Sequence, residues 1–396
     1  MPEWSEFWWA SITGPRNLCE AVSHALHQKG NVCLIVPNDL PWRDQMRACI
    51  ETDMHQMPDM ESFYVEYIDV EDDCPDVVDV GRYLLERYAS PEIAAGYRGR
   101  GKIQQYILDK RELNNRIFWI KGMNAEQEKC WLKFCRDYVP TQDSNGRFVL
   151  EVRWIKKESE RRNLAVIRYS DAIKRYDLTL FNSVYLSREK STYSPIWQQY
   201  IAVMCASLCD TDAETSQALI ENCNFSSEEP IVGMQIVSED ETYMRRGENN
   251  DKHILNMIRR KDTAAVGAQI WKAQLQVLFP LIEMERVTFV EQYRERIQEA
   301  LREQYYDFRT DRPQQVYQFG DIIDDPDDAE LGTLYRMTKL KRSEDTTQYL
   351  LYIADEQSRN RVELLHAMRN SLAHGEYCAI DKVAGFINGH PFDWKN

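Results

Sequence analysis

Three residues whose side chains could act on a phosphodiester lie close together near the end of the chain: Arg369, Asn370 and His374. On a helix, Asn370 and His374 are one turn apart and share a face, with Arg369 adjacent to them. Gly375 is the residue type that most often ends a helix, which places His374 in the last turn. The carbonyl end of the helix dipole favours the imidazolium form there. A histidine tuned near neutrality beside a fixed guanidinium predicts phosphodiester cleavage.

A helix over about residues 355–373 is expected to position these side chains. Along it, apolar residues recur at three- and four-residue steps, which is the spacing of one buried helix face. The residues of this predicted stripe are Val362, Leu365, Met368 and Leu372. The three polar residues fall beside the stripe, toward the helix end.

The string RNSLAHG from Arg369 to Gly375 is similar to the RNxxxH signature of the HEPN superfamily. HEPN domains are small helical bundles that carry this motif in the penultimate or last helix, and the predicted setting resembles that arrangement. The resemblance extends over the C-terminal region of the chain. It implies a metal-independent endoribonuclease whose composite active site forms where two HEPN domains meet in a homodimer.

The resemblance also implies a role for each motif residue. Arg369 would bind and stabilise the scissile phosphate, His374 would act in proton transfer or phosphate contact, and Asn370 would orient the pair. RNA supplies its own nucleophile, the 2′-hydroxyl, so the expected product ends in a 2′,3′-cyclic phosphate. Neither a cofactor nor a metal is expected.

Glu283 and Arg286 form a second pair of interest in the C-terminal region. They are three residues apart on a predicted helix, and a local salt bridge is the favoured interpretation. The alternative is a supporting role, in which Glu283 holds Arg369 in position.

The overall charge opposes sequence-independent adhesion to nucleic acid. The formal net charge is −15, whereas phosphate binding depends on clustered Lys and Arg. Any contact with RNA must come from a local basic patch, and for each patch an ordinary solvated surface is the alternative. The predicted RNA contact is Arg259, Arg260 and Lys261, and two further patches are Tyr97–Lys102 and Lys156–Arg162.

Residues 13 to about 190 alternate between helical and extended patterns, which predicts a mostly parallel sheet covered on both faces. Predicted strands are 32–36, 63–70, 117–120 and 148–152, and predicted helices between them are 80–88, 102–109 and 125–138. This layout resembles the core of an AAA-like P-loop NTPase, with residues 32–36 in the place of the first strand.

The motifs that bind nucleotide in such a core are missing. After the first predicted strand, a GxxxxGK[ST] cradle should follow, but Pro37–Asp44 contains neither glycine nor lysine. The predicted strand 117–120, the next candidate for such a motif, runs into Lys121-Gly122-Met123 and offers no carboxylate for magnesium. We therefore expect a degenerate domain that binds no nucleotide or binds one unconventionally, and that acts as a scaffold, sensor or partner surface.

A chain of 396 residues is too long for one compact core. We predict an NTPase-like α/β domain over 1–190, a helical connector over 191–240 and a HEPN-like all-α bundle over 241–396. In the bundle, a long helical pattern from His253 to about Tyr305 is expected to be interrupted at Gly267 and Pro280, because proline removes a backbone hydrogen bond. An acidic loop over 321–330 and helices over about 330–352 and 355–373 complete the prediction.

The cellular setting is expected to be the cytoplasm. The N-terminus has no secretory signal pattern, no apolar run is long enough to span a membrane, and the ten cysteines have no metal-ligand spacing. HEPN modules fused to NTPase-like or sensor domains resemble effectors and toxins of bacterial antiviral and stress-response systems, which implies a restraining protein partner or antitoxin. A non-catalytic adaptor in a defence complex stays open as the alternative.

Overall fold

The computed structural model describes residues 3–28, 30–302, 305–307, 312–314, 317–318, 321–341, 348–389 and 391–392. The chain divides into two compact units, the first made of Met1–Phe181 with Asp210–Thr215 and the second of Asn182–Cys209 with Ser216–Asn396. The three-part division predicted from the sequence stays a prediction. Among the described residues, no helix combines the length and the apolar character needed to cross a membrane.

The first unit is an α/β domain. Its elements, in chain order, are α1 (Trp4–Ser11), α2 (Thr13–Gln28), β1 (Asn31–Ile35), α3 (Arg43–His55), β2 (Tyr64–Asp69), α4 (Val70–Asp73), α5 (Val80–Tyr88), α6 (Pro91–Gly96), α7 (Ile103–Lys110), β3 (Arg116–Lys121), α8 (Ala125–Asp137), β4 (Arg147–Val152), β5 (Leu164–Arg168), α9 (Tyr169–Ala172) and α10 (Arg175–Glu189), which continues into the second unit.

The five strands form one sheet in the order β2-β3-β4-β1-β5, and all neighbours are parallel. All five residues of β1 are buried, and four of them are apolar, as expected for a strand between two neighbours that is covered on both faces. The polar residue, Asn31, is hydrogen-bonded, since its Nδ2 donates to the carbonyl of Tyr138 at 2.9 Å. The expected parallel sheet is confirmed, and the order agrees with a P-loop-like α/β core.

Register fixes which strand ends meet. Ile35 at the end of β1 lies opposite Val152 of β4 and Arg168 of β5. The carboxyl ends of these three strands therefore share one edge of the sheet, which is where ligands bind in open α/β folds. The strand β5 was not predicted from the sequence.

The second unit is mainly helical. Its further elements are α11 (Pro195–Cys209), α12 (Ala213–Asn222), α13 (Pro230–Glu239), α14 (Ile254–Arg259), α15 (Thr263–Gln292), α16 (Arg294–Arg302), β6 (Tyr305–Asp307), β7 (Arg312–Gln314), β8 (Tyr317–Gln318), β9 (Asp321–Ile322), a 3-10 turn (Pro326–Asp328), α17 (Leu331–Lys339), α18 (Glu356–Ala373) and α19 (Ile380–Asn388); α12 begins in the first unit.

The helix α15 is continuous through Gly267 and Pro280, so the predicted interruptions are wrong. Pro280 cannot donate to the carbonyl of Gln276, one turn earlier. Both residues are exposed, and water can solvate the unpaired carbonyl on that side of the helix. Proline is thus tolerated because its missing hydrogen bond faces solvent.

Two predictions around the acidic segment also change. Residues 321–330 contain the end strand β9 and a 3-10 turn rather than a loop alone. The helix expected over 330–352 ends at Lys339, after which Leu350 donates its N–H to the carbonyl of Leu340 at 2.7 Å. Residues 342–347 of that prediction lie outside the described residues.

Candidate functional site

The end of α18 has a well-defined geometry. The N–H of Glu376 donates to the carbonyl of Ser371 at 2.9 Å, and the N–H of Gly375 donates to that of Leu372 at 3.3 Å. Gly375 has φ +82°, so this is the Schellman ending that glycine favours. The predicted helix end is confirmed, and His374 is its C-terminal capping residue.

The predicted buried stripe is also confirmed. Val362, Leu365, Met368 and Leu372 are all buried. The same helix carries a buried arginine that the sequence did not single out, Arg361, whose Nε donates to Glu285 Oε2 at 2.7 Å. The helix that carries the motif is therefore fixed by an apolar face together with a buried ion pair.

The side chain of Arg369 contacts Glu330, the last residue of the acidic segment 321–330. Its Nη2 donates to Oε2 of Glu330 at 3.0 Å, and its side chain keeps 28% of its surface exposed. Glu330 is the residue just before α17. The guanidinium is thus fixed by a carboxylate and still partly accessible to solvent.

Asn370 is paired with a histidine one turn earlier. Its side-chain amide nitrogen lies 2.9 Å from Nε2 of His366, within hydrogen-bond distance. The His366 ring stacks on Tyr335 of α17, with centroids 4.3 Å apart and planes 14° apart. Burial and, secondly, the charge of Arg369 lower the pKa of His366, so its neutral form is favoured.

The four candidate residues at the C-terminal end of α18 thus divide into an inner and an outer set. His366, Asn370 and Arg369 are partly buried and bonded to neighbours, whereas His374 is exposed at the helix end. His366 was missed at the sequence level, although its four-residue spacing from Asn370 could have revealed it. Together they present one cation, one neutral imidazole and one accessible imidazole within two turns.

The supporting role expected of Glu283 falls to another residue. Glu283 Oε2 accepts from Nε of Arg286 at 2.8 Å, which is the local salt bridge favoured from the spacing. Arg286 also donates to the backbone carbonyl of Ala329 at 3.2 Å. The carboxylate that holds Arg369 is Glu330, because α17 rather than the middle of α15 supplies the ion partner of Arg369.

Two of the three residues of the predicted RNA contact, Arg259 and Arg260, are bound to other groups of the chain. The Nη2 of Arg259 donates to the carbonyl oxygens of Tyr243 at 3.0 Å and Arg246 at 2.7 Å, so this guanidinium satisfies a turn. Arg260 forms an ion pair with Asp251. Arg259 is therefore a structural residue, and only Arg260 and Lys261 lie at the surface.

In the first unit, a buried ion cluster lies behind the segment where a phosphate cradle would be. Glu151 of β4 is 2% exposed, and its Oε1 accepts from Nη2 of Arg47 at 2.6 Å and from Nε1 of Trp119 at 2.6 Å. Nε of Arg43 lies 3.3 Å from the other carboxylate oxygen. Burial lowers the pKa of Arg43, and Glu151 opposes that shift. Two arginines of α3 are thus directed into the sheet.

The segment before α3 is also held by the protein itself. Trp42 has φ 40°, and its N–H donates to Oε2 of Glu214 at 2.9 Å. The carbonyl of Pro41 accepts from Nε1 of Trp9 at 3.2 Å. A carboxylate of the chain thus lies at the start of α3, where a P-loop protein would bind a phosphate.

Comparison with known proteins gives little further guidance. The chain matches no protein-family model, and no curated protein has a significantly similar sequence. Among solved structures it is similar to the Aeropyrum pernix ORC2 protein in its ADPNP and ADP complexes, with 11% identity and a TM-score of 0.31 over 70% of this chain and 74% of that one. A similarity at that level assigns no function.

Proposed function

We propose that the helical second unit is a metal-independent endoribonuclease of the HEPN type. One observation carries the proposal: Arg369, the Asn370–His366 pair and the exposed His374 lie within two turns at the end of one firmly packed helix. Rigid elements position catalytic groups better than loops do. The set contains a cation that can stabilise the phosphate and a group that can transfer a proton, two functions that phosphodiester cleavage by a 2′-hydroxyl requires.

In this proposal each residue has a separate task. Arg369 stabilises the negative charge that develops on the phosphate, as a preorganised cation does best in a partly dry site. His374 of one chain takes the proton of the 2′-hydroxyl as that oxygen bonds to phosphorus, and His374 of the second copy gives a proton to the 5′-oxygen whose bond to phosphorus breaks. The exposure of His374 lets RNA reach it. Asn370, held by His366, orients the phosphate between the two. A second copy of the chain completes the site in a homodimer.

The biological role that fits is an effector of bacterial antiviral defence or stress response. RNA is the substrate, and a protein partner or antitoxin restrains cleavage until it is needed. The α/β unit acts as sensor or docking surface, in line with the buried arginine–glutamate cluster at the place where an NTPase binds phosphate.

The test is cleavage of single-stranded RNA by the purified chain in the presence of EDTA. We expect products with 2′,3′-cyclic phosphate ends. Arg369→Ala and His374→Ala should each lower the rate by about a hundredfold or more, the usual effect of losing a proton-transfer or charge-stabilising group. His24→Ala and Arg302→Ala are matched controls, because both residues are exposed elsewhere on the chain. Full activity in both motif variants would refute the proposal.

A non-catalytic adaptor is the second candidate, and the Glu330 carboxylate favours it. At 3.0 Å from Arg369 it neutralises the cation that should attract phosphate. Glu330→Gln distinguishes the two functions, because it frees the guanidinium while keeping the shape of the side chain. Faster cleavage in this variant supports the enzyme. Absence of cleavage in both the wild-type chain and the variant supports the adaptor.

A further inference from the structure

A cavity of about 510 Å³ lies within the first unit, at the carboxyl ends of β1 and β5. Ile35, Val36 and Ile173 give it an apolar lining. The two strands are parallel neighbours that pair up to their last residues, Ile35 and Arg168. The edge of an open α/β sheet formed by the carboxyl ends of its strands is where such folds bind small ligands.

The polar lining of this cavity is strongly cationic. Four basic residues face one carboxylate, that of Asp210, in a chain whose net charge is −15. Such a local excess of positive charge attracts an anion even on an acidic protein. The basic residues are Lys156, Arg168, Lys174 and Arg175.

Two of these cations have no carboxylate partner in the part of the chain that the structure describes. The ammonium of Lys156 donates to the backbone carbonyl of Arg153, and that of Lys174 donates to the carbonyl of Ser170. Each ammonium has three protons to donate. Both lysines can therefore bind an incoming anion without breaking an ion pair.

A buried carboxylate holds the backbone of the loop that carries Lys156. Glu128 of α8 is fully buried, and its carboxylate accepts the backbone N–H groups of Trp154 at 3.0 Å and Ile155 at 2.9 Å. Further along the loop, Oε1 of Glu158 accepts from Nε of Arg136 at 3.2 Å. Lys156 thus extends from a fixed backbone, which reduces the entropy lost when it binds a ligand.

Hydrogen bonds and an ion pair also hold Arg168 and Arg175, two other cations of the cavity, in place. Arg168 ends β5 and donates from Nη2 to the backbone carbonyl of Glu158 at 3.2 Å. Arg175 pairs with Asp210 at 3.3 Å, and that aspartate has φ 57°, a left-handed conformation that Asp and Asn tolerate well. The four cations therefore come from the β4–β5 loop, the end of β5 and the start of α10.

We propose that this cavity binds a small phosphate monoester, with the phosphate between Lys156 and Lys174 and the rest of the molecule on the apolar lining. A volume of about 510 Å³ suits a ligand of the size of a nucleoside or sugar phosphate. Of the segment between β1 and α3, the site uses only Val36 and Pro37, which directly follow β1. It needs no magnesium, because side-chain cations neutralise the phosphate.

Isothermal titration calorimetry of the full chain tests this, with four probes: AMP, ribose 5-phosphate, inorganic phosphate and adenosine. We expect the phosphate-bearing probes to bind, with affinities that fall as salt rises, and adenosine not to bind. AMP binding more tightly than ribose 5-phosphate would mark a nucleotide site, and the reverse would mark a sugar phosphate site. No binding of any phosphate probe, or equal binding of AMP and adenosine, overturns the proposal.

Variants locate the site. Lys156→Gln with Lys174→Gln should weaken phosphate-probe binding by about tenfold or more for each lost charge-assisted hydrogen bond. Lys157→Gln with Lys133→Gln removes the same charge from exposed positions outside the cavity and should leave the affinity unchanged. Equal losses in the two double variants would overturn the assignment.

Asp210→Asn provides an opposite, gain-of-binding test. Asparagine accepts the same left-handed backbone, so the fold should be kept, while the carboxylate that faces the cavity is lost. Binding should strengthen, and unchanged or weaker binding would contradict the proposal. Arg369→Ala should not alter the titration, so the site can fail or succeed independently of RNA cleavage.

Discussion

At the scale of single residues, Glu151 shows how a buried charge is made tolerable. Taking a carboxylate out of water is costly unless hydrogen bonds and opposite charges replace the lost hydration. Arg47, Trp119 and Arg43 do so here. The cluster joins α3 to β3 and β4, so its members depend on one another.

Glu151→Gln should therefore destabilise the first unit strongly. It leaves the buried guanidinium of Arg47 without its counter-charge, at a cost of about 3–5 kcal/mol in the free energy of unfolding. Asp44→Asn removes the other carboxylate near Arg47, but Asp44 is 98% exposed, and the loss should stay below about 0.5 kcal/mol. Urea unfolding compares the two. Similar losses would show that Glu151 is not the dominant partner.

The pKa of His366 predicts how stability changes with pH. Burial and Arg369 lower this pKa in the folded chain, while the unfolded chain takes up the proton at about 6.5. The stabilisation that the neutral ring provides is complete above about pH 6.5. It is lost as the pH falls from there toward the lowered pKa of His366 in the folded chain.

In His366→Gln, the free energy of unfolding should fall less between about pH 7.5 and pH 5 than in the wild-type chain, because the variant lacks the imidazole whose pKa is lowered by folding. Thermal or urea unfolding at several pH values measures the difference. His24→Gln serves as the control for replacing an exposed histidine. A pH dependence identical to that of the wild type would contradict the prediction.

The local sequence revealed the motif residues but not their partners. Arg369, Asn370 and His374 follow from spacing along one helix, and so does the helix end at Gly375. Glu330 lies 39 residues before Arg369 in the chain. Its proximity depends on how α17 packs against α18, which periodicity within one helix does not encode. Glu283 has an oppositely charged residue, Arg286, three positions away on the same helix, and it pairs with that residue.

At the scale of elements, strong periodicity was a reliable guide. The helix predicted over 80–88 is α5, and those predicted over 102–109 and 125–138 correspond to α7 and α8. The strand β5 was missed because it is only partly buried and flanked by charged residues. An edge strand has one neighbour, so its sequence carries a weaker apolar signal than β1.

The continuity of α15 gives a test at this scale. Pro280→Ala restores a donor in a helix that already has helical geometry, so it should raise the free energy of unfolding by about 1–3 kcal/mol. Calorimetric unfolding measures the change. Gly267→Ala is a useful comparison, because an added Cβ there meets Tyr377 at 3.4 Å and should gain less. A loss of stability in Pro280→Ala would mean that the proline has a packing role.

At the scale of the whole molecule, the net charge of the chain does not indicate the charge of its individual surfaces and cavities. A total of −15 coexists with a cavity lined by four cations and one carboxylate. The sequence marked Lys156–Arg162 as basic, and for any single patch a solvated surface was the favoured interpretation. Only the fold separates Lys156, which lines the cavity, from Lys157, which does not. The cations that join Lys156 come from the last residue of β5, Arg168, and from Lys174 and Arg175, which follow it in the chain.

The position of β1 in the middle of the sheet constrains how the protein is made. Both of its neighbours are later segments, since Asn31 pairs with Phe148 and with Leu164. At a synthesis rate of about 5–20 residues per second, an apolar strand leaving the ribosome must wait on the order of 10 s for its first partner. During that interval β1 lacks both neighbouring strands and is exposed to aggregation, and α2, which precedes it and packs against it in the folded structure, can cover it.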